Sequence, residues 1–368
     1  MKTYLETTEP CTNIAPYWRD LPRSLFGYLE DVVGELTSAH QRVAMVLEII
    51  RVEAFVLDHR CWCGRPPASR KPIARAFIAK SVLNIPTTKD LIERLRSDPR
   101  LRRLCGFVWK VESEATFSRV FQELANSRIL DKVHEAVVQS HYSDSVVQHV
   151  SRDSTAIKVR EEPAPKPKKT PREKQKCGRK NKGESRELTR QERQLTQVWS
   201  EALAELPTAC AIGVKLNSKG RSEYWIGYKG HADVADGGVP LSFWTTSATL
   251  HDSQAAIPMM KMTASRVGTI FYQLMDKAYF GELVFKAAKA LGQVAIIPSK
   301  ANPPHPAIPL DKAQLKRFEN RTTAERFFSD LKENHGGDNI RVTGPEKVHA
   351  HLMCGVLTIF AQAQYRIR

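Results

Sequence analysis

The stretch VVQHVSRDSTAIKV, residues 146–159, decides the fold of this chain. Its β-branched residues predict a strand, and Asp153 stands in the middle of that strand. A carboxylate inside a buried strand is costly unless a cation or a metal ion accompanies it. The stretch therefore predicts a sheet that carries a charged site, and a turn acid flanked by Ser151 and Ser154 is the structural alternative.

The segments after this strand combine strands with helices. Two segments rich in β-branched and aromatic residues, 223–235 and 239–250, flank the hairpin-turn sequence DGG. A helical segment and then an apolar strand, 268–276, follow them. Because strands first run together and then alternate with helices, this order predicts an α/β domain with a mixed sheet over residues 141–345. A last helix, within residues 346–368, is predicted to pack on that domain.

The chain before residue 140 shows helical periodicity instead. A segment such as TTKDLIERLRSDP, residues 87–99, opens with threonine caps and stops at a proline. Residues 1–140 are therefore predicted to form an all-α domain. Short helices with tight turns and surface arginines suit a helix-turn-helix-like DNA-binding module, and a solvated basic bundle explains them equally well. These arginines are Arg94, Arg96, Arg100, Arg102 and Arg103.

The overall charge indicates a polyanionic partner. The 368 residues include 56 Lys and Arg against 40 Asp and Glu, which gives a formal net charge of +16. Lys and Arg that neutralise phosphates release counterions, so nucleic acid is the leading candidate and an anionic membrane surface the lesser one. No apolar run reaches the ~18 residues of a membrane-spanning helix. The N-terminus also lacks the apolar core of a signal peptide.

The cysteines favour a reducing compartment. Seven of them, an odd number, argue against a disulfide framework and for the cytoplasm. His59, Cys61 and Cys63 lie close together in the sequence, but without the C-x2-C spacing of a zinc site. A reduced, partly buried pair is the simpler interpretation, and zinc is the alternative.

Residues 160–193 form a separate, strongly basic stretch. They are rich in Lys, Arg and Pro and contain almost no large apolar side chain. Such a segment cannot bury a core, so we predict a flexible insertion within the α/β domain. Basic tracts of this kind commonly follow phosphate backbones, and a merely solvated insertion is the alternative.

A second unusual stretch, FENRTTAERFFSDLKENHGG at residues 318–337, predicts an amphipathic helix closed by glycines. At roughly 100° per residue, four of its residues fall within an arc of about 60° beside the apolar stripe. They are Phe318, Arg321, Glu325 and Lys332. A carboxylate thus lies between cations on a face that packing does not explain. The structural alternative is a capping box in which Glu325 bonds a main-chain N–H at the helix start.

Asp276 is a third acid whose position suggests a function. It ends an apolar strand segment, and ligand sites gather where strands reach the carboxyl edge of an α/β sheet. A cap on the following segment is its structural alternative. Other acids fit structural roles, because Asp252 stands at a helix start as an N-cap would. Asp233 and Asp236 are predicted to be turn residues.

Three acids on separate elements fit one kind of chemistry. Phosphodiester cleavage and transfer use two divalent cations ~3.5–4 Å apart to stabilise the attacking and leaving oxygens, and carboxylates hold them. Mg²⁺ prefers hard oxygen ligands and keeps several waters, so a few acids suffice. Taken singly, Asp153, Asp276 and Glu325 each keep a structural explanation.

Together with their surroundings, these residues resemble the DDE-type transposases of bacterial insertion sequences. In that family the first acid precedes serine or threonine in a strand, as in SRDSTAI, and the second follows an apolar strand, as in DKAYFG. The third lies in a helix with the spacing tyrosine, two residues, arginine, three residues, glutamate, six residues, lysine. Phe318 stands here in place of the tyrosine. Residues 226–258 and 64–107 also resemble the central strands and the N-terminal helical domain of such proteins.

The resemblance implies a ribonuclease-H-like catalytic domain in which Asp153, Asp276 and Glu325 are catalytic and bind two Mg²⁺, with Mn²⁺ able to substitute. It implies cleavage at insertion-sequence ends and strand transfer into target DNA. It further implies double-stranded DNA with terminal inverted repeats as the partner and a dimer or larger assembly on DNA. The expected location is the bacterial cytoplasm, at the nucleoid. The residues expected to contact DNA are Arg321, Lys332, Lys316, Arg317 and Lys300.

Two other functions stay compatible with the residues. A metal-dependent nuclease that cuts DNA without joining it would have the same site. A non-catalytic DNA-binding derivative would keep the fold, although the intact acids argue against it. Detection of strand-transfer products separates the first from a transposase.

Overall fold

The computed structural model describes residues 26–57, 68–108, 110–165, 187–216, 220–299 and 308–366. A helical stretch at residues 26–33 precedes the helices of the N-terminal region. These helices are α1 (Ser38–Ile50), α2 (Arg70–Val82), α3 (Thr88–Ser97), α4 (Pro99–Leu104), α5 (Glu114–Asn126) and α6 (Ile129–Tyr142).

The local sequence explains where these helices begin and end. Thr87 caps α3, because its hydroxyl accepts a 3.0 Å hydrogen bond from the main-chain N–H of Asp90, which confirms the predicted threonine cap. Asp98 ends α3 and caps α4, and Pro99 is the first residue of α4. Proline fits that position because the first N–H groups of a helix have no partner inside it. A tight turn at Asp98 therefore joins the two helices.

A six-stranded mixed sheet follows, as the sequence predicts. The longest strand, β3, pairs antiparallel with β1, β2 and β4, whereas β1, β5 and β6 run parallel to one another in the order β1-β5-β6. The turn between β3 and β4 is at Asp236–Gly238, where the DGG sequence predicts it. The strands are β1 (Val146–Lys158), β2 (Ala211–Leu216), β3 (Ser222–Ala235), β4 (Val239–Ser247), β5 (Thr269–Met275) and β6 (Val294–Ile296).

The remaining helices pack around this sheet. Two of them come between β1 and β2 in the sequence. The remaining helices are α7 (Arg190–Thr196), α8 (Trp199–Ala204), α9 (Ser253–Ala264), α10 (Glu282–Ala290), α11 (Lys312–Phe318), α12 (Thr322–Asn334) and α13 (Pro345–Arg366). Among the described residues, no helix combines the length and apolar character that crossing a membrane requires.

The last residues of the basic stretch 160–193, predicted to be flexible, are helical, because α7 begins at Arg190. The ammonium group of Lys261 in α9 donates hydrogen bonds of 2.7–2.8 Å to three main-chain oxygens within residues 194–197. These bonds satisfy carbonyls at the end of α7, which would otherwise lack partners, and attach α7 to α9. Residues 166–186 of the basic stretch lie outside the described residues.

The two faces of β1 meet different helices. Successive strand residues point to opposite faces, so Ser151, Asp153 and Thr155 share one face, which we call the front face. Helix α12 lies against it. Arg152 and Ser154 share the opposite, back face, where α9 contributes contacts.

Helix α13 connects the helical region with the sheet. It contacts α1, α2, α5 and α6 on one side and β4 and α12 on the other. Most of its side chains are buried in a single apolar core that includes the N-terminal helices, the sheet and α12. A second, smaller core lies between α9, α10 and the end of β5. Burial of this extent fixes α12, and hence the residues it carries, against β1.

Candidate active site

Asp153 and Asp276 lie side by side, each one residue beyond the last pair of the parallel β1–β5 ladder. The register of β1 and β5 sets Arg152 beside Met275, so the next residue along each chain is an acid. Asp276 directly follows β5, at the carboxyl edge of the sheet where ligand sites gather. Its carboxylate also accepts a hydrogen bond from the main-chain N–H of Lys277, so it caps a short 3-10 turn as well.

Glu325 does not belong to a capping box. Helix α11, a 3-10 turn at Glu319–Arg321 and α12 follow one another with helical backbone angles, so α12 has no separate N-terminus to cap. The hydroxyl of Thr322 donates to the main-chain oxygen of Glu319 at 3.1 Å. The capping-box alternative for Glu325 is therefore wrong, and its carboxylate is available for another role.

Two side-chain contacts lay this helical run along the front face of β1. The hydroxyl of Ser151 donates to the main-chain oxygen of Asn320 at 3.0 Å. Four residues further along the strand, Thr155 Oγ1 accepts a 2.7 Å hydrogen bond from Lys332 Nζ. The helical residues between these contacts are therefore held over Asp153, which lies midway between the two strand residues.

Arg321 bridges two of the three acids. Its Nη1 lies 3.6 Å from Asp153 Oδ2, and its Nη2 donates to Glu325 Oε1. The guanidinium also lies over the ring of Phe318, 5.7 Å from the centroid, at the distance of a cation–π contact. Phe318 therefore supports Arg321 through its ring face, a contact that needs no tyrosine hydroxyl.

The charges of the site act on Asp153. Burial, together with the negative charges of Glu325 and Asp276, raises the pKa of Asp153 to about 6, against the opposing effects of the Ser154 N–H and of Arg321. The three carboxylates are thus close enough to repel one another, and a single guanidinium does not neutralise them. A site with this surplus of negative charge favours cations.

The donor set fits divalent cations in kind. Three carboxylates offer hard oxygen ligands, which Mg²⁺ and Mn²⁺ prefer, and no soft sulfur ligand lies among them. Within the parts of the chain that the structure describes, no three His, Cys, Asp or Glu side chains surround a common point closely enough to hold an ion. Arg321 stands between Asp153 and Glu325, so cation binding requires its guanidinium to turn away.

Four of the five residues predicted to contact DNA lie within the described residues. Burial, and the nearby charges of Lys215 and Lys158, lower the pKa of Lys332. Lys316 is exposed on α11. The guanidinium of Arg317 lies over the ring of Tyr272 in β5, 4.6 Å from its centroid. Lys300, like the candidate zinc residues His59, Cys61 and Cys63, lies outside the described residues.

The competing acids occupy other positions. Asp236 lies in the turn between β3 and β4, as predicted, but Asp233 does not lie in a turn. Asp233 is in β3, fully buried, and binds both the Nε and Nη2 atoms of Arg152. Asp252 stands at the N-cap position of α9, yet its side chain makes no capping bond and pairs with Lys229 instead.

Sequence reasoning missed the polar groups on the back face. The sequence could have predicted them. Residues two apart in a strand face the same way, so Arg152 and Ser154 must share the face opposite Asp153. Tyr279, just after Asp276, was missed too. It is buried, its hydroxyl has no partner among the described groups, and burial with the charges of Asp252 and Asp153 raises its pKa.

Two parts of the chain match models of known protein families. Residues 206–360 match a model described as "Transposase DDE domain", and residues 33–123 match one described as "Transposase domain (DUF772)". The first match includes Asp276 and Glu325 and begins after Asp153. The second covers the helical region from before α1 into α5. No curated protein matches the chain at a significant level.

Proposed function

This chain belongs to the DDE transposases of insertion sequences, and we propose that Asp153, Asp276 and Glu325 are the acids with which it cleaves DNA. It is a DNA transposase with a ribonuclease-H-like catalytic domain. One observation carries the assignment of the acids. The register of β1 and β5 and the contacts of the α12 region bring two carboxylates from distant parts of the sequence, Asp276 and Glu325, close to Asp153.

Enzymes of this family use divalent metal ions, and we infer that Mg²⁺ is the ion here. Asp153, Asp276 and Glu325 would hold two such ions, which suit their hard oxygen ligands. The chemistry that ions bound there supply is activation of the attacking oxygen and stabilisation of the leaving oxygen of a phosphodiester. Mn²⁺ would substitute, because it accepts the same ligands.

The cations beside the acids would hold the DNA. Arg321, just before α12, presents a planar guanidinium that matches phosphate oxygens, and Lys332 within α12 contributes a point charge. Lys316, exposed on α11, and Arg317 would extend this surface along the helical run. Such contacts fix the position of a DNA backbone without reading its sequence.

Two reactions at one site account for transposition. Water would first attack the phosphodiester at the end of the element, and the freed 3′-hydroxyl would then attack a phosphodiester of target DNA. The same three acids serve both steps, because each step is an in-line displacement at phosphorus. We further infer a dimer or larger assembly that holds two element ends, acting on DNA in the cytoplasm of its host.

The test is a cleavage and joining assay with DNA that carries the inverted repeats flanking the coding region. Asp153→Asn, Asp276→Asn and Glu325→Gln should each reduce cleavage by at least about 10³-fold, the loss of several kcal/mol of transition-state stabilisation. The matched control is Glu333→Gln, an exposed acid on the same helix that contacts Ser329. It should retain full activity.

Metal rescue sharpens the assignment. Asp276→Cys should lose activity with Mg²⁺ and recover part of it with Mn²⁺, because a softer ion accepts a thiolate ligand. Full activity in all three acid variants would show that these residues are not the catalytic ones. Cleavage without joined products would leave a nuclease in place of a transposase.

A further inference from the structure

A chain of polar contacts reaches Asp153 from the back face of the sheet. Lys229 Nζ donates to Asp252 Oδ1 at 2.9 Å and to the main-chain oxygen of Leu250 at 2.8 Å. The side chain of Ser154 also acts on Asp252, because a hydrogen bond from it helps to lower the pKa of that carboxyl. The main-chain N–H of Ser154 in turn donates to Asp153 Oδ1 at 2.8 Å. Ser154 therefore stands between the two acids: its side chain acts on Asp252 at the back face, and its main-chain N–H binds Asp153.

Asp252 is poorly explained as a structural residue. It stands where an N-cap of α9 would stand, but its own backbone is helical and its side chain does not bond the helix. The side chains of Asp252 and Lys229 are only 23% and 17% exposed. The desolvation of such a pair offsets much of its attraction, so the pair adds little stability. A role in orienting neighbouring side chains accounts better for the Lys229–Asp252 pair.

The surrounding residues hold this series of polar contacts in place. His231 is paired with Ser154 across β1 and β3, and its Nε2 lies 2.8 Å from Thr246 Oγ1. Burial raises the pKa of Asp252, but the charge of Lys229 and the hydrogen bonds from Lys229 and Ser154 lower it below its usual value. Asp252 therefore remains a carboxylate that can accept from both Lys229 and Ser154.

We propose that Asp252, held by Lys229, is a positioning residue that orients Asp153 through Ser154. The proposal rests on the role proposed above for Asp153 as a metal-binding acid. By holding the Ser154 hydroxyl, Asp252 fixes the peptide group whose N–H binds Asp153 Oδ1. The other oxygen, Oδ2, is the one that faces Arg321 on the front face. Hydrogen bonds behind a metal ligand typically contribute about 10–100-fold to metal affinity or activity.

The test measures Mn²⁺ binding to the full-length protein without DNA, by calorimetry or by the electron paramagnetic resonance of free Mn²⁺. Asp252→Ala and Ser154→Ala should each weaken binding by about 10–100-fold. Ser154→Thr, which keeps the hydroxyl, should bind Mn²⁺ as the wild type does. The double variant should be no weaker than the weaker single variant, because both changes break one chain of contacts.

The matched control is Asp236→Ala. Asp236 Oδ2 also accepts a hydrogen bond from a main-chain N–H of β1, that of His149 at 3.2 Å, but four residues before Asp153. Its loss should leave Mn²⁺ affinity unchanged. Wild-type affinity in Asp252→Ala and Ser154→Ala, or an equal loss in Asp236→Ala, would overturn the proposal.

Two further outcomes are distinguishable. If Asp153→Asn does not remove Mn²⁺ binding from the otherwise wild-type chain, the proposed metal site itself is wrong, whatever Asp252 does. If Asp252→Ala does not fold, Ser154→Ala decides alone, because it deletes one hydroxyl and leaves the main-chain N–H in place. Unchanged Mn²⁺ affinity in that folded variant would also reject the positioning role.

Discussion

Two aspartates on paired strands, Asp233 and Asp153, lie in opposite electrostatic environments. On the back face, Asp233 is fully buried and binds Arg152 through two hydrogen bonds of 2.7 and 2.5 Å, with Thr263 as a further donor. On the front face, Asp153 has one guanidinium at 3.6 Å, shared with Glu325. Its side chain is 22% exposed, and its pKa is raised to about 6 by burial and by the neighbouring acids.

The difference separates a structural acid from a candidate catalytic one. The hydrogen-bonding capacity of Asp233 is met inside the protein, so it offers nothing to a ligand. Asp153 keeps an unbalanced charge beside solvent, and an added cation would relieve the repulsion among the acids. Burial alone therefore does not identify the functional acid. The balance between the carboxylate and its partners does.

The largest expected effect concerns the back face. Asp233→Ala leaves the guanidinium of Arg152 buried without a partner, so the free energy of unfolding should fall by about 3–5 kcal/mol. Urea denaturation followed by circular dichroism measures this. A loss below about 1 kcal/mol would show that water or another group replaces Asp233, and the comparison would break.

The equivalent change on the front face should act in the other direction. Asp153→Asn removes a carboxylate whose charged form the folded state disfavours, so stability in metal-free buffer should rise by about 1–3 kcal/mol. The same denaturation experiment, with chelator present, measures it. A substantial loss of stability would mean that Asp153 is a structural acid like Asp233.

The back face should also determine part of the pH dependence of stability. Burial lowers the pKa of His231 to about 4, against about 6.5 when unfolded. Between these values the unfolded chain binds the proton more readily, so stability falls as pH falls from 7 toward 4. His231→Gln should reduce the loss between pH 7 and pH 5 by about 2 kcal/mol, measured by denaturation at both values. An unchanged pH dependence would contradict a buried, neutral His231.

The smallest expected effect concerns Arg321. Arg321→Gln removes a cation that competes with metal ions for Asp153 and Glu325. Because partly exposed ion pairs are weak, Mn²⁺ should bind the DNA-free protein only about 2–5-fold more tightly. The same change should weaken DNA binding and lower its salt slope by about 1. Calorimetry and fluorescence anisotropy measure the two affinities. Weaker Mn²⁺ binding would show that Arg321 organises the acids instead of competing for them.

Local patterns in the sequence predicted the front face well. The strand around Asp153, the strand end at Asp276 and the helix of Glu325 follow from alternation and spacing within short segments. The back face was not predictable in this way. The partner of Asp233 is Arg152, 81 positions earlier, and only the register of β1 and β3 brings them together. The capping box failed for a different, local reason, since the 3-10 turn at Glu319–Arg321 continues the helical backbone from α11 into α12.

The placement of α12 and α13 has a consequence for the order of folding. The contact between Thr155 and Lys332 joins residues 177 positions apart, and α13 closes the core onto helices from the start of the chain. Contacts of such long sequence separation form slowly, because loop closure precedes any gain from packing. A growing polypeptide therefore carries β1 and its acid long before the helix that completes the site exists. The ability to cut DNA should arise only once residues up to about 366 have been synthesised and have folded back.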